Sequence, residues 1–186
     1  MVNPHDDPIE LVEPKYEEWR AQFEAERSRL SSLFERLNVQ ASVHRVEHVG
    51  STALPQLQAK DIVDIDIIVA DEAVSRISSA IESELGGTRH QNSDGWHPIF
   101  RQEAGQRFND HVFGVSDPGW RVSVATKVVL RERPTLRRRY EQVKRREASA
   151  TDDLVTYGKS KSAVVSELLE AAKESDIEFA FEIPTS

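Results

Sequence analysis

Two short segments of the chain bring together residue types that bind metal ions and phosphates. Asp64 and Asp66 stand two residues apart in a run rich in β-branched side chains, with Ile62, Val63, Ile65, Ile67, Ile68 and Val69 around them. Such a run makes a buried strand, and a strand's period of two sends both carboxylates to one face. A pair on a solvated face would be ordinary, but here apolar residues fill nearly every neighbouring position. Two like charges on a crowded strand repel and call for a compensating cation. Magnesium, which takes oxygen ligands, meets that need. Upstream, Gly50-Ser51-Thr52 interrupts a second strand pattern. Glycine lets the backbone approach a phosphate closely, while N–H groups and hydroxyls donate to its oxygens. Gly-Ser alone is a common turn. The order strand, Gly-Ser, short connection, Asp-x-Asp strand is far more specific.

The elements that must hold these segments follow from the surrounding pattern. Tyr16, Trp19, Phe23, Leu30, Leu33, Phe34 and Leu37 recur at three- and four-residue spacings after Pro14, which predicts an amphipathic helix stopped near Asn38. Val43–Val49 alternates as a strand and residues 61–70 form the carboxylate strand. Glu72–Leu85 reads as a helix ended by Gly86-Gly87. Further strands are expected near Pro98–Gln102 and Phe108–Val115, joined by a loop containing Gly105. Ile9–Val12 suits a short edge strand. Residues 120–130 carry enough valine for a strand, yet they run into Pro134 without a turn, so a helix is expected there. Thr135–Ala150 and Lys159–Lys173 complete a helical C-terminal part. The fold class is therefore α/β or α+β, a mixed sheet flanked by helices. Residues 1–8 read as a flexible tail, 9–175 as one domain and 176–186 as a C-terminal tail.

Composition narrows the function classes. The 186 residues, 38% hydrophobic and 30% charged, fit one globular domain, and no apolar run nears the length of a membrane span. Without cysteine there is neither a disulfide framework nor a thiolate nucleophile, and no signal peptide pattern opens the chain. The cytoplasm is the expected compartment. The net charge of −8 argues against tight non-specific binding along nucleic acid. Basic residues nevertheless gather between Arg131 and Arg146, either as a solvated helix of mixed charge or as a positive wall toward a polyphosphate or nucleic-acid partner.

The order of motifs resembles the polymerase-β-like nucleotidyltransferase superfamily, and the wording resembles the GrpB family in particular. Glu47-His48-Val49-Gly50-Ser51-Thr52-Ala53-Leu54-Pro55, followed by Ala59-Lys60-Asp61-Ile62-Val63-Asp64-Ile65, matches that family's hallmark. Pro118-x-Trp120, Tyr140-x-x-x-Lys144 and Tyr157-x-x-x-Lys161 extend the likeness over about residues 10–172. Three positions depart from the pattern: Gln56 replaces a glycine, Asp61 replaces a proline, and Asn109-Asp110-His111 stands where the family has His-x-His.

The resemblance implies a nucleotidyltransferase-like fold. It implies metal-dependent transfer of a nucleotidyl group from a nucleoside triphosphate to an unknown acceptor or, on the same fold, a non-catalytic nucleotide-binding or regulatory module. Asp64 and Asp66 would hold magnesium, with His111 completing the catalytic set, while Gly50, Ser51, Thr52, Lys60, Lys144 and Lys161 would receive the phosphates. Glu47, His48, Asn109 and Asp110 are further candidates. His48 at a strand end is equally at home as a structural residue, and Lys144 and Lys161 as surface ion-pairing residues. Enzymes of this superfamily generally carry a third carboxylate on a neighbouring strand, the place occupied here by His111. Trp19, Trp96 and Trp120 suit packing, and Trp96, between Gly95 and His97, is the one best placed to touch a ligand.

Overall fold

The computed structural model describes residues 10–150 and 161–185. The first helix, α1, spans Tyr16–Arg36 and buries Trp19, Phe23, Glu26, Leu30, Leu33 and Phe34 along one stripe. Glu17 and Glu18 in its first turn and Arg36 in its last complement the helix dipole. Asn38 ends the run with a φ of 51°, a left-handed conformation that asparagine tolerates. Ahead of it, Val12 makes only an isolated bridge to Ala59, not the expected edge strand.

Five strands follow: β1 (Val43–Val49), β2 (Ile62–Val69), β3 (Thr88–Arg89), β4 (Trp96–Glu103) and β5 (Gln106–Gly114). They form one sheet in the order β1-β2-β5-β4-β3. The β2–β5 pair is parallel, and the other pairs are antiparallel. Ala104 and Gly105, at φ 48° and 87°, close the β4–β5 hairpin. Two consecutive positive φ values make the primed turn whose twist matches the flanking strands. Between β2 and β3 runs α2 (Val74–Leu85), preceded by a 3-10 turn at Asp71–Ala73. The C-terminal part is helical, with α3 (Gly119–Glu132), α4 (Pro134–Ala150) and α5 (Ser162–Lys173). The helix expected from Lys159 is thus described only from Ser162.

The two faces of the sheet are covered differently. Val63, Ile65 and Ile67 of β2, with Ile99, Phe108 and Val112, pack against α1 and α2 in the larger core. The other face meets the C-terminal helices. There Val49, Ile68 and Phe113 touch Trp120 and Val124 of α3, and Leu54 and Leu57 join Leu130, Tyr140 and Leu168. Residues 174–185 hold no helix or strand. Yet Phe179, Phe181 and Ile183 pack onto that second core, and Phe181 meets the Trp120 ring edge-on at 5.0 Å.

Candidate functional site

The site lies between the sheet face that carries the carboxylates and the C-terminal helices. Strand register builds it. Asp64 pairs with Val49 on one side and Asn109 on the other, and Asp66 pairs with Glu47 and His111. Directly paired residues share a face, so Glu47, Asp64, Asp66, Asn109 and His111 all point toward α3. The intervening residues point toward α1.

Gly50 closes β1 at φ 68°, and a side chain there has no room: a Cβ would lie 2.4 Å from Asp64 Oδ2. Only glycine brings the turn backbone against this carboxylate. Ser51 opens a 3-10 turn, and its Oγ accepts a hydrogen bond of 2.7 Å from Lys144 Nζ. Lys144 also donates to Gln58 O at 2.6 Å. A residue of α4 therefore ties both ends of the loop linking β1 to β2. Lys144 is buried. Burial, reinforced by the charges of Lys161 and Lys60, pushes its pKa down to about 7. Burial also lowers Lys161, which feels the Asp64 charge. Lys60 helps hold Asp64 in its charged form. The three lysines and Asp64 thus belong to one electrostatic unit.

The carboxylates differ in environment. Asp66 is wholly buried, and neither of its oxygens has a hydrogen-bond partner. Burial drives its pKa up to about 7. The nearby Ser123 hydroxyl donates instead to Gly119 O, at 3.2 Å. Asp64 keeps 31% of its side chain exposed. Burial works against its charge, but His111, Lys60 and Asn109 outweigh that and hold its pKa below the ordinary range. Asn109 Nδ2 donates to Asp64 Oδ1 at 3.2 Å, while Asn109 Oδ1 is buried without a partner.

His111 is under opposing influences. Burial disfavours its charge, whereas Asp64 and Asp66 favour it and raise its pKa. Trp96 Nε1 sits 3.1 Å from His111 Nδ1, and an indole N–H can only donate. Asn109 Nδ2 lies 2.9 Å from His111 Nε2, so both ring nitrogens face N–H groups. Trp96 thus reaches His111 from the start of β4 and stacks on Phe113 at 5.5 Å.

Three candidates are placed elsewhere. His48 points to the α1 side, stacked on Phe23 at 4.9 Å, and Thr52 Oγ1 lies 3.0 Å from its Nε2. Alternation along β1 requires this, because Glu47 and Val49 occupy the site face. Thr52 is correspondingly buried, and its hydroxyl serves His48 rather than the cleft. Asp110 also faces away. It accepts a 2.5 Å bond from Arg101, which in turn holds Glu26 of α1 at 2.7 Å. Asp110 belongs to a buried ionic network, not to the site. Glu47 is on the site face but engaged by Lys127 at 2.8 Å and Arg45 at 2.6 Å.

A cleft of about 240 Å³ opens beside Gly50 and Asp64. Val49, Leu54, Val122, Leu130 and Val165 wall it, with His111, Ser123, Thr126, Lys127 and Tyr140 supplying polar groups. The sequence pattern did not single out the α3 residues. Ser123, Thr126 and Lys127 recur at helical spacing, but any exposed helix face shows such a row. Tyr140 was visible only as part of a family motif. Its hydroxyl is held protonated by burial, with a pKa raised to about 12.

Residues 8–171 match the GrpB protein family, and the chain belongs to that family. A UPF0157 protein of Deinococcus radiodurans is 31% identical over 172 residues, covering 90% of this chain and 84% of that protein. A second, from Halalkalibacterium halodurans, is 30% identical over 176 residues, or 92% and 86% of the two chains. The crystal structure of the conserved protein GrpB from Enterococcus faecalis superposes with a TM-score of 0.70 at 24% identity, over 88% of this chain and 96% of that one. The Cid1 poly(U) polymerase gives a TM-score of 0.46 at 15% identity, over 78% and 51%. The fold is a five-stranded mixed sheet flanked by helices, shared with the Enterococcus faecalis protein, with the Gly-Ser turn between β1 and β2 and Asp-x-Asp on the strand beside it. No helix among the described residues is long and apolar enough to cross a membrane.

The donor set fits magnesium. Asp64 and Asp66 offer carboxylate oxygens, and Asn109 Oδ1 is a third, unpartnered oxygen on the same face. Among the described residues no three histidine or acidic side chains converge as a ready-made cage. Magnesium does not require one, because it is usually held by one or two carboxylates with water and phosphate oxygens.

Proposed function

We propose that the chain binds a magnesium–nucleoside triphosphate between the Gly-Ser turn and the carboxylate strand, and transfers its nucleotidyl group to an acceptor hydroxyl. One observation carries this reading: Asp66 is fully buried with both oxygens unpartnered, alongside Asp64 and the tightly approached Gly50. A buried carboxylate in that state is costly unless a proton or a cation joins it, and Asp64 beside it on the same face favours the cation. A cation bound by Asp64, Asp66 and Asn109 would neutralise charge on the phosphates and the departing group. The chain's own residues account for the rest. Ser51 and the Gly50 backbone orient the phosphate tail, with Lys144, Lys60 and Lys161 stabilising charge that builds on it. The acceptor oxygen forms a bond to the α-phosphorus while the bridging bond to the β-phosphate breaks. Pyrophosphate leaves with that electron pair, and the hydroxyl proton passes to solvent water at the cleft mouth. The setting is the cytoplasm, where magnesium and nucleoside triphosphates are supplied.

A second reading, nucleotide binding without catalysis, is favoured by β5. It contributes Asn109 and His111 to the site face where a third carboxylate would stand. Calorimetric titration with nucleoside triphosphates, with and without magnesium, tests the shared part. Binding should require magnesium and weaken at least about tenfold in Asp64→Ala. The absence of any nucleotide binding would sink both readings. Pyrophosphate release with a panel of hydroxyl acceptors then separates them. Release lost in Asp64→Ala supports transfer, and tight binding without release supports the non-catalytic form.

A further inference from the structure

The α3 wall of the cleft carries polar groups that the phosphate site does not use. Ser123, Thr126 and Lys127 are three and four residues apart, so they share one side of the helix, and all line the cleft. Lys127 donates to Glu47 Oε2 at 2.8 Å, with 11% of its side chain exposed. That bond fixes the ammonium in place but does not exhaust it, since an ammonium has three donors and no acceptor. Thr126 Oγ1 is buried without a partner, and a buried hydroxyl in that condition is a group waiting for a ligand atom. Opposite these groups the walls are apolar, formed by Val49, Leu54 and Val165. The volume of about 240 Å³ falls below the ~300–1,000 Å³ typical of pockets for larger ligands. It suits one flat ring system, not a length of polymer.

We propose that this wall is the subsite for the base of the nucleotide, and that it selects bases carrying ring oxo groups, with Lys127 and Thr126 donating to their oxygens. The proposal rests on the nucleotide reading above and adds the substrate class to it. An adenine edge offers these two donors a single ring-nitrogen acceptor beside an amino donor, so pairing one leaves the other against the amino group. A uracil or guanine edge presents an acceptor instead. Discrimination by a hydrogen bond lost in a buried site is large compared with discrimination by shape alone.

The test is calorimetric titration of the full chain, in magnesium, with inorganic tripolyphosphate, UTP, GTP and ATP. UTP and GTP should bind about tenfold or more tightly than ATP and than tripolyphosphate. In Lys127→Met the preference over ATP should shrink to within about twofold. Thr126→Val preserves shape and should narrow the preference about threefold, which keeps the test decisive even where Lys127→Met folds poorly. Tripolyphosphate binding as tightly as every nucleotide, or ATP matching UTP and GTP, would overturn the subsite while leaving the phosphate site standing. Failure of tripolyphosphate and all nucleotides to bind would remove the phosphate site and the subsite together.

Discussion

At the scale of single residues, β5 faces the two carboxylates with Asn109 and His111, and Asn109 lies against Asp64. Its amide nitrogen is 3.2 Å from Asp64 Oδ1, so Asn109→Asp puts a third carboxylate against an existing one. Without metal, like charges at that distance repel, and the melting temperature should fall by several degrees. Millimolar magnesium should restore it, and raise it above that of the magnesium-loaded parent. A melting temperature indifferent to magnesium in the variant would show that these oxygens do not share a cation. His48 gives a second test, independent of any ligand. Burial lowers its pKa from 6.5 to about 4. Between those values the unfolded chain binds the proton and the native chain does not, so stability is intact above pH 6.5 and falls with pH toward 4. The loss attributable to this group is about 3 kcal/mol at the acid end. Urea denaturation across this range should show a shallower pH dependence for His48→Gln than for the parent. Equal slopes would place the titration elsewhere.

Elements explain why some of these residues were legible in the sequence and others were not. The Gly-Ser turn and the Asp-x-Asp strand were readable because local rules govern them: β-branched periodicity for β2, and a break in alternation at Gly50. Asp61 was visible only as a departure from a family pattern. Its role came from tertiary structure, where it accepts bonds from Trp19 Nε1 at 2.8 Å and Lys15 Nζ at 3.1 Å and so anchors α1 to the start of β2. His48 illustrates the opposite failure, while Asp110 obeys the alternation that sends His111 to the site. Chemistry-bearing types beside the site in sequence face away from it, because neighbours on a strand point to opposite sides. Lys127 required knowing which face of α3 meets β1, and no local pattern supplies that. The Glu26–Arg101–Asp110 network is likewise an element-level device, joining α1 to β4 and β5 on the face behind the site. Arg101 is fully buried. Arg101→Met would strand two buried carboxylates, with an expected cost of about 3–5 kcal/mol in urea denaturation. A cost under about 1 kcal/mol would mean that water already reaches them. Replacing all three residues by apolar ones should recover much of the loss, since desolvation of the network largely offsets its attraction.

For the whole molecule, the central relation is between the sheet and the helical C-terminal part. Lys144 crosses from α4 to the loop between β1 and β2, bonding Ser51 Oγ and Gln58 O. On the proposed reading, phosphates at the Gly-Ser turn would meet the helical half through this side chain. Its pKa of about 7, lowered by burial and by Lys161 and Lys60, makes the meeting depend on pH. At pH 8 the free protein holds Lys144 largely neutral. A polyanion beside it favours the charged form and raises its pKa, so binding takes up a proton. It follows that affinity for a triphosphate declines as pH rises above 7. Below that value Lys144 is already charged, and the dependence flattens. Titration calorimetry at pH 8 in buffers of different ionisation enthalpy should report uptake of a sizeable fraction of a proton per ligand. Uptake should disappear in Lys144→Met, with weaker binding. A binding enthalpy independent of buffer in the parent protein would mean that Lys144 is charged before the ligand arrives. The lysine would then be a fixed cation bridging the two halves, and the pH dependence would vanish with it.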